Sequence, residues 1–320
     1  MACFVMATYK PNADHDRSAV AGDGRSCLST CAPPDPVPKK PKFAMPAGAC
    51  DAHCHVFGPA WKFPYADDRA YTPPDAPKET LAAMHRFLGI ARAVIVQASC
   101  HGADNRATLD AIAVSDGRLR GVAIVDETFD DRAFHALHDG GIRGVRFNFV
   151  QHLGGRPDPK LFQRTAARLK DLGWHLVLHL DAKDIAELSS MIRTLPVPFV
   201  IDHMGRVKVG DGLDQPAFNA LLELMKRETA WVKVCGSERI SNTGPPFTDA
   251  TPFARALVKA APDRVLWGTD WPHPNIAKQM PNDGDLVDLV PLIAPDETHR
   301  RKLLVDNPAR LYGFGEAQQA

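Results

Sequence analysis

Eight short apolar segments, alternating with stretches of helical periodicity, constrain the fold of this 320-residue chain more strongly than any other feature. Short, mostly apolar runs of this kind are typical of parallel strands that are buried on both faces. The runs lie at residues 50–56, 93–97, 121–125, 144–149, 175–179, 199–201, 232–234 and 265–268. Segments with the apolar spacing of amphipathic helices lie between them at residues 78–88, 105–115, 132–138, 161–171, 182–194, 216–227 and 251–260.

This alternation predicts an α/β fold of the (β/α)8 TIM-barrel type, which needs eight parallel strands, each followed by a helical segment. The competing architecture is a doubly wound sheet, in which a glycine-rich turn commonly marks a single ligand site at the switch point. No Gly-x-Gly-x-x-Gly motif follows any of the apolar runs, and polar residues recur after several of them. We therefore expect a barrel with its functional residues at the carboxyl ends of the strands.

The first 48 residues differ from the rest of the chain. They are polar at first and become rich in proline between residues 33 and 41. Because proline interrupts both helices and interior strands, we expect residues 1–48 to form an extended or partly disordered leader. Residues 49–320 are predicted to form the barrel domain, with a helical region at its C-terminal end.

Charge and composition exclude several classes of protein. Lys plus Arg and Asp plus Glu both number 38, which gives a formal net charge of zero and no field that would attract nucleic acid. No apolar run approaches the roughly 18–20 residues needed to span a membrane, and the N-terminus lacks the features of a secretory signal. The seven cysteines are odd in number and widely spread, which favours reduced thiols and a cytoplasmic location. We expect no nucleic-acid or membrane partner, and the sequence is compatible with a homo-oligomer.

Polar residues that suit a metal ion follow four of the predicted strands. His53 and His55 are two residues apart on the first strand, so their side chains point to the same side. His179, His203 and Asp270 end the fifth, sixth and eighth strands. Each could simply be a hydrogen-bonded polar residue at a strand end. Together they favour a divalent-metal site, because imidazole and carboxylate groups are suitable ligands for zinc.

These residues and their surroundings resemble the amidohydrolase superfamily of metal-dependent TIM-barrel hydrolases, and within it a branch of lactone hydrolases. The resemblance covers nearly all of residues 49–312. It is carried by DAHCHVFGP at 51–59, VQASCHG at 96–102, GVRFNF at 144–149, IDHMGR at 201–206 and WGTDWPHP at 267–274. The resemblance implies a hydrolase that acts on the lactone ester of a small di-anionic substrate.

Two positions depart from the metal-independent members of this branch. Those members carry a tyrosine where this chain has His179, and an arginine where this chain has His152. The first departure implies a restored imidazole ligand and metal dependence, and the second implies a different anion on the substrate. Arg146 and Asn148 occupy the strand-four region where binuclear relatives place a bridging lysine or glutamate, so we expect one zinc ion per chain.

The resemblance also implies roles for individual residues. Asp270 is the expected general base, and His203 is expected to hold water or substrate, or to serve as a further ligand. The zinc ligands are expected to be His53, His55, His179 and Asp270. The expected substrate contacts are Tyr71, Ser99, Arg146, His152, His203 and Arg239.

The substrate that best matches both departures is 4-sulfomuconolactone, hydrolysed to maleylacetate and sulfite in the degradation of aromatic sulfonates. The main alternative is metal-independent hydrolysis of 2-pyrone-4,6-dicarboxylate in the same barrel. Decarboxylation of an aromatic acid and ligand binding without turnover are further alternatives. A decarboxylase would release carbon dioxide, whereas a lactonase would acidify an unbuffered assay.

Overall fold

The computed structural model describes residues 29–276 and 279–315, and it shows eight parallel strands whose order in the sheet follows their order in the chain. This arrangement confirms the predicted (β/α)8 barrel. The strands are β1 Cys50–Cys54, β2 Arg92–Val96, β3 Leu119–Ala123, β4 Ile142–Asn148, β5 His175–His179, β6 Phe199–Ile201, β7 Ala230–Lys233 and β8 Val265–Leu266.

Helices follow the strands, and two of them, α1 and α8, have the predicted bounds. The main difference lies at residues 182–194, where a short 3-10 turn at Ala182–Asp184 precedes the α-helix. The helices are α1 Lys78–Leu88, α2 Arg106–Ala113, α3 Asp131–Asp139, α4 Pro159–Asp171, α5 Ile185–Arg193, α6 Pro216–Leu224, α7 Ser237–Ile240, α8 Thr251–Ala260, α9 Asp283–Asp288, α10 Val290–Ile293, α11 Glu297–Arg301 and α12 Asn307–Tyr312.

Helix α1 shows how the sequence pattern produces the outer layer. Its buried residues Leu81, Met84, His85 and Leu88 recur at the three- and four-residue spacing that forms one face of a helix. The helix ends at Gly89, which adopts the left-handed conformation with φ of 77° that glycine accepts without steric cost. Strands β2 and β5 are buried at every position, as expected for strands enclosed between barrel interior and helices.

The barrel closes between β1 and the segment that follows β8. The backbone N–H of Ala52 donates to the carbonyl oxygen of Trp267, and that of His55 donates to Trp271, each over 2.8 Å. In the opposite direction, the N–H of Asp270 donates to the carbonyl oxygen of His53 over 2.7 Å. These bonds join the first and last parts of the barrel, which are more than 200 residues apart in the sequence.

The buried side chain of Asp51 stabilises this closure between β1 and the segment after β8, which we call the seam. Its carboxylate accepts hydrogen bonds from the Thr269 hydroxyl over 2.6 Å and from the Thr269 backbone N–H over 3.0 Å. It also accepts from Nε2 of His85 on α1 over 3.0 Å and from the backbone N–H of His53 over 3.1 Å. Asp51 is fully buried, so these four donors replace the water that the carboxylate loses on folding.

The described part of the leader runs over the barrel surface. Residues 31–48 form no helix or strand, and they are held by side chains near α9. The N–H of Lys39 donates to Asn282 over 2.8 Å, and those of Lys42 and Phe43 donate to Asp288 over 2.7 and 2.9 Å. Residues 29–30 pair with Tyr71–Thr72 in a small parallel ribbon. Residues 1–28 lie outside the described part, so the predicted leader and its boundary at residue 48 stay predictions.

Among the described residues, no helix has the length and apolar character needed to cross a membrane. The five cysteines that the structure describes are unpaired: Cys31, Cys50, Cys54, Cys100 and Cys235.

Replacing Asp51 should destabilise the barrel, because Asp51→Ala leaves the Thr269 hydroxyl and the His85 ring without their buried acceptor. We expect a loss of about 3–5 kcal/mol in the free energy of unfolding, measured by urea denaturation. The matched control is Asp214→Ala at an exposed position, which should change stability by less than about 0.5 kcal/mol. Equal unfolding midpoints for the two variants would show that Asp51 does not stabilise the seam.

Candidate active site

A small cavity of about 220 Å³ lies at the carboxyl ends of the strands, where a TIM barrel carries its functional residues. All six expected substrate contacts line it, together with three of the four expected zinc ligands. The lining residues are His55, Tyr71, Ser99, Arg146, His152, Leu153, His179, His203, Arg206, Arg239, Asp270, Pro274 and Asn275. His53, the fourth expected ligand, is not in the lining; it is fully buried next to Asp270.

A left-handed turn after β6 brings two of these side chains into the cavity. His203, Met204, Gly205 and Arg206 have φ angles of 50°, 53°, 62° and 51°, so three residues other than glycine adopt a conformation that costs roughly 1–2 kcal/mol each. His203 and Arg206, three residues apart across this turn, both line the cavity. Strain of this kind persists only where surrounding contacts hold it, and it concentrates at functional sites.

The Asp270 carboxylate is the common neighbour of the site's imidazole rings. Its Oδ1 atom lies 3.2 Å from Nε2 of His55, 3.5 Å from Nε2 of His53 and 3.9 Å from Nε2 of His203. The Nε atom of Arg239 donates to Oδ2 over 2.5 Å, and a second nitrogen of the same guanidinium contacts this oxygen. Burial alone would raise the pKa of Asp270, but Arg239 and then His203 hold it well below its ordinary value. Asp270 is therefore a carboxylate at neutral pH.

The hydrogen bonds of His55 and His179 fix which ring nitrogen carries the proton. Nδ1 of His55 lies 2.7 Å from the carbonyl oxygen of Val96, and Nδ1 of His179 lies 2.8 Å from Oδ1 of Asn148. Both oxygens only accept, so each Nδ1 donates. The pKa of His179 is lowered well below its ordinary value, mainly by burial, so this neutral ring presents a lone pair on Nε2. Nε2 of His55 instead faces a second acceptor, Oδ1 of Asp270, over 3.2 Å. The Nε2 atom of His179 is buried without a hydrogen-bond partner. Metal-ligating histidines commonly have this arrangement, in which the distal ring nitrogen donates to an oxygen.

His53 has a different environment, because a lysine contacts its distal nitrogen. Nδ1 of His53 lies 2.9 Å from Nζ of Lys233 and 3.3 Å from Oδ1 of Asp202. Burial, and then the charge of Lys233, lowers the pKa of His53 to about 4, so the ring is neutral at neutral pH. An ammonium group only donates, so a contact with Lys233 places the ring proton on Nε2, where no metal can bind.

The residues present therefore fit one divalent ion, with His53 as a conditional ligand. The imidazoles of His55 and His179 and the carboxylate of Asp270 are chemically suitable donors, but neither histidine belongs, among the described residues, to a group of three ligand atoms that lie within 4.8 Å of one another. His53 joins them only when its Nδ1–H donates to Asp202. The ligand atoms of His53, His203 and Asp270 do lie within 4.8 Å of one another in the described part of the chain. The ligand set itself stays a prediction.

Three guanidinium groups line the cavity. Nε of Arg146 lies 3.1 Å from Oδ2 of Asp202, and Nε of Arg206 donates to Asp181 over 2.9 Å. With Arg239, these cations give the cavity the positive wall that a small di-anion needs. Burial raises the pKa of Tyr71, so its hydroxyl stays protonated beside them.

Sequence reasoning missed three buried charged groups around the site. Lys233 and Asp202 are fully buried and lie 3.1 Å apart, and Glu238 is buried with neither carboxylate oxygen hydrogen-bonded. Burial raises the pKa of Glu238 to about 7, and Asp270 adds to this shift. One signal was available for Lys233, because a lysine within the apolar run at 232–234 requires a buried partner.

Comparison with known proteins agrees with the fold. The family model for amidohydrolases matches residues 50–314. The chain belongs to the amidohydrolase family.

Its relatives include named enzymes. The chain is 50% identical over 284 residues to the 2-pyrone-4,6-dicarboxylate hydrolase of Comamonas testosteroni, an alignment that covers 86% of this chain and 93% of the relative. It is 45% identical over 274 residues to the 4-sulfomuconolactone hydrolase of Rhizobium radiobacter, covering 85% and 92%. A solved structure from Pseudomonas putida is 31% identical, with a TM-score of 0.73 over 84% of this chain and 99% of that chain.

Removing Arg239 should change the pH dependence of the site. In Arg239→Met, Asp270 loses the cation that lowers its pKa, so burial dominates and the carboxylate protonates at higher pH than in the wild type. If turnover requires the carboxylate, the acidic limb of kcat/KM against pH moves to higher pH. Arg206→Met is the matched control, because Arg206 lines the same cavity but pairs with Asp181. An unmoved limb in Arg239→Met would show that Arg239 does not control the protonation of Asp270.

Proposed function

We propose that this protein hydrolyses the lactone ester of a small di-anionic substrate, with Asp270 as the general base. The observation that carries the proposal is the composition of one small cavity. Its lining combines the Asp270 carboxylate and four imidazole rings with the guanidinium groups of Arg146, Arg206 and Arg239. Ester hydrolysis requires activation of water and of the carbonyl group. A di-anionic substrate also requires cations near its two anionic groups.

The residues divide this work according to their chemistry. Planar guanidinium groups match carboxylate and sulfonate oxygens in pairs, so Arg146 and Arg239 would bind the substrate's anions. The hydroxyls of Tyr71 and Ser99 would donate to the same groups, and His152 lies exposed at the rim. If a substrate anion attracts the Arg239 guanidinium, the ion pair between Arg239 and Asp270 weakens. Asp270 then becomes a stronger base, because Arg239 no longer lowers its pKa as much.

A divalent ion is part of the proposal, with one zinc ion per chain. His55, His179 and Asp270 would hold it, together with His53 when its Nδ1–H faces Asp202. A bound zinc ion supplies a Lewis acid that polarises an ester carbonyl or acidifies water. Asp270 would take the proton of the attacking water and return it to the departing ring oxygen.

The specific substrate that we propose is 4-sulfomuconolactone, giving maleylacetate and sulfite. Hydrolysis breaks the acyl C–O bond, and the oxygen left on the sulfonate-bearing carbon then loses its proton and becomes the ketone of maleylacetate as the C–S bond breaks and sulfite leaves. The support is the similarity to the Rhizobium radiobacter enzyme, together with His179 and His152 at the positions where metal-independent members differ. The lone pair of His179 is directed by its bond to Asn148, as a metal ligand requires.

A second candidate is metal-independent hydrolysis of 2-pyrone-4,6-dicarboxylate. The contact between Lys233 and His53 favours it, because His53 then presents an N–H that could donate to a substrate carbonyl rather than a lone pair. The 50% identity with the Comamonas testosteroni enzyme also supports 2-pyrone-4,6-dicarboxylate as the substrate.

Initial rates on the two lactones, with added zinc and after chelation, separate these candidates. We expect a preference for 4-sulfomuconolactone, with activity lost on chelation and restored by zinc. Stoichiometric zinc after purification should accompany it, measured by elemental analysis. Full activity on the pyrone in the presence of chelator would establish the second candidate instead. Absence of hydrolysis of either lactone in all conditions would reject both.

Asp270→Asn should remove the base while preserving the size of the side chain. We expect kcat to fall by about 10²–10⁴-fold, with circular dichroism and thermal unfolding confirming an intact fold. Asp181→Asn is the control, because that carboxylate pairs with Arg206 and does not contact Asp270. A loss of less than tenfold in Asp270→Asn would exclude Asp270 as the base.

A further inference from the structure

We propose that Lys233 is a positioning residue that holds His53 with its proton on Nε2, and thereby weakens the binding of a divalent metal ion at this histidine. This inference rests on the proposed metal site. It concerns the chain's own residues and is tested without any lactone.

Lys233 occupies an unusual place for a lysine. It is the last residue of β7, its side chain is fully buried, and its Nζ lies 2.9 Å from Nδ1 of His53 and 3.1 Å from Oδ1 of Asp202. A lysine is almost never buried to this extent unless it is paired. Nζ of Lys233 is paired with the Asp202 carboxylate, and a lysine ammonium offers three donors and no acceptor. Nδ1 of His53 must therefore accept, and the proton of the neutral ring resides on Nε2.

Asp202 imposes the opposite arrangement on the same ring. Its Oδ1 atom lies 3.3 Å from Nδ1 of His53 and can only accept a hydrogen bond. When Nδ1–H donates to Asp202, Nε2 of His53 presents its lone pair to the site. Lys233 and Asp202 thus compete for one ring nitrogen, and the shorter contact is that of Lys233.

The other two histidines with fixed protons show what Lys233 changes. The distal nitrogens of His55 and His179 face the Val96 carbonyl and the Asn148 amide oxygen, which are acceptors only. The Nε2 lone pair of His179 is therefore available to a ligand, whereas Nε2 of His55 faces Oδ1 of Asp270 over 3.2 Å. With its proton on Nε2, His53 would present an N–H on the side of Asp270, whose Oδ1 lies 3.5 Å away without a hydrogen bond. Nε2 of His53 can therefore serve either as a metal ligand, when Nδ1–H donates to Asp202, or as a hydrogen-bond donor, when Nδ1 accepts from Lys233.

Zinc affinity of the purified apoprotein, measured by competition with a chromophoric chelator, tests this role. We expect Lys233→Met to bind zinc about 10–100-fold more tightly than the wild type, the range by which hydrogen-bond partners of ligands alter metal affinity. Asp202→Leu should bind zinc more weakly, because it removes the acceptor that favours the metal-binding tautomer. A purely structural role for Lys233 would instead weaken binding in both variants.

Arg146→Met is the matched control for charge. It removes a cation that contacts the same Asp202 carboxylate but leaves the contact with His53 intact. Any gain in affinity that arises from lost positive charge alone appears in this variant too. We expect its gain to be smaller than that of Lys233→Met. Equal gains in the two variants would overturn the proposal.

Nitrogen-15 NMR of histidine-labelled protein reads the proton position directly. We expect His53 of the wild type and of Arg146→Met to carry its proton on Nε2, and His53 of Lys233→Met to carry it on Nδ1. An Nδ1–H signal for His53 in the wild type would overturn the proposal, even if Lys233→Met does not fold. Failure to hydrolyse any lactone would reject the proposed function and leave these zinc and NMR results unaffected.

Discussion

Closure of the barrel between its first and last strands is the constraint on which the site depends. His53 and His55 lie on or just after the first strand, and Asp270 follows the last one. The backbone bond from Asp270 to the His53 carbonyl fixes the distance between these groups. Asp51, which bonds to Thr269 one residue before Asp270, holds the same seam from inside. The candidate site therefore forms only when the two ends of the barrel meet.

Burial of charge determines what this arrangement can do. Each central carboxylate is shared between an imidazole ring and a cation: Asp202 between His53 and Lys233, and Asp270 between His55 and Arg239. The cations offset the cost of removing the carboxylates from water and keep the pKa of both well below the ordinary value. Ionised carboxylates in turn decide which nitrogen of each neighbouring ring can act as donor or ligand.

The sequence predicted the fold well, because the apolar periodicity that defines strands and helices is local. The segments 175–179, 199–201 and 78–88 match β5, β6 and α1 residue for residue. Most of the predicted side chains line one cavity, since strand ends converge in a barrel, but His53 does not. The sequence could not predict the ring protons or the pairing of Arg239 with Asp270, which depend on contacts between distant strands. The left-handed turn at His203 was equally hidden, because only Gly205 in it has a local preference for that conformation.

Turnover of the lactone in water enriched in oxygen-18 is the most direct test of ester hydrolysis, because hydrolysis transfers one solvent oxygen to the acyl carbon. We expect a single labelled oxygen in the newly formed carboxylate of the product, detected by mass spectrometry after one turnover. A product formed without solvent oxygen, or release of carbon dioxide instead of a new carboxylate, would contradict this expectation.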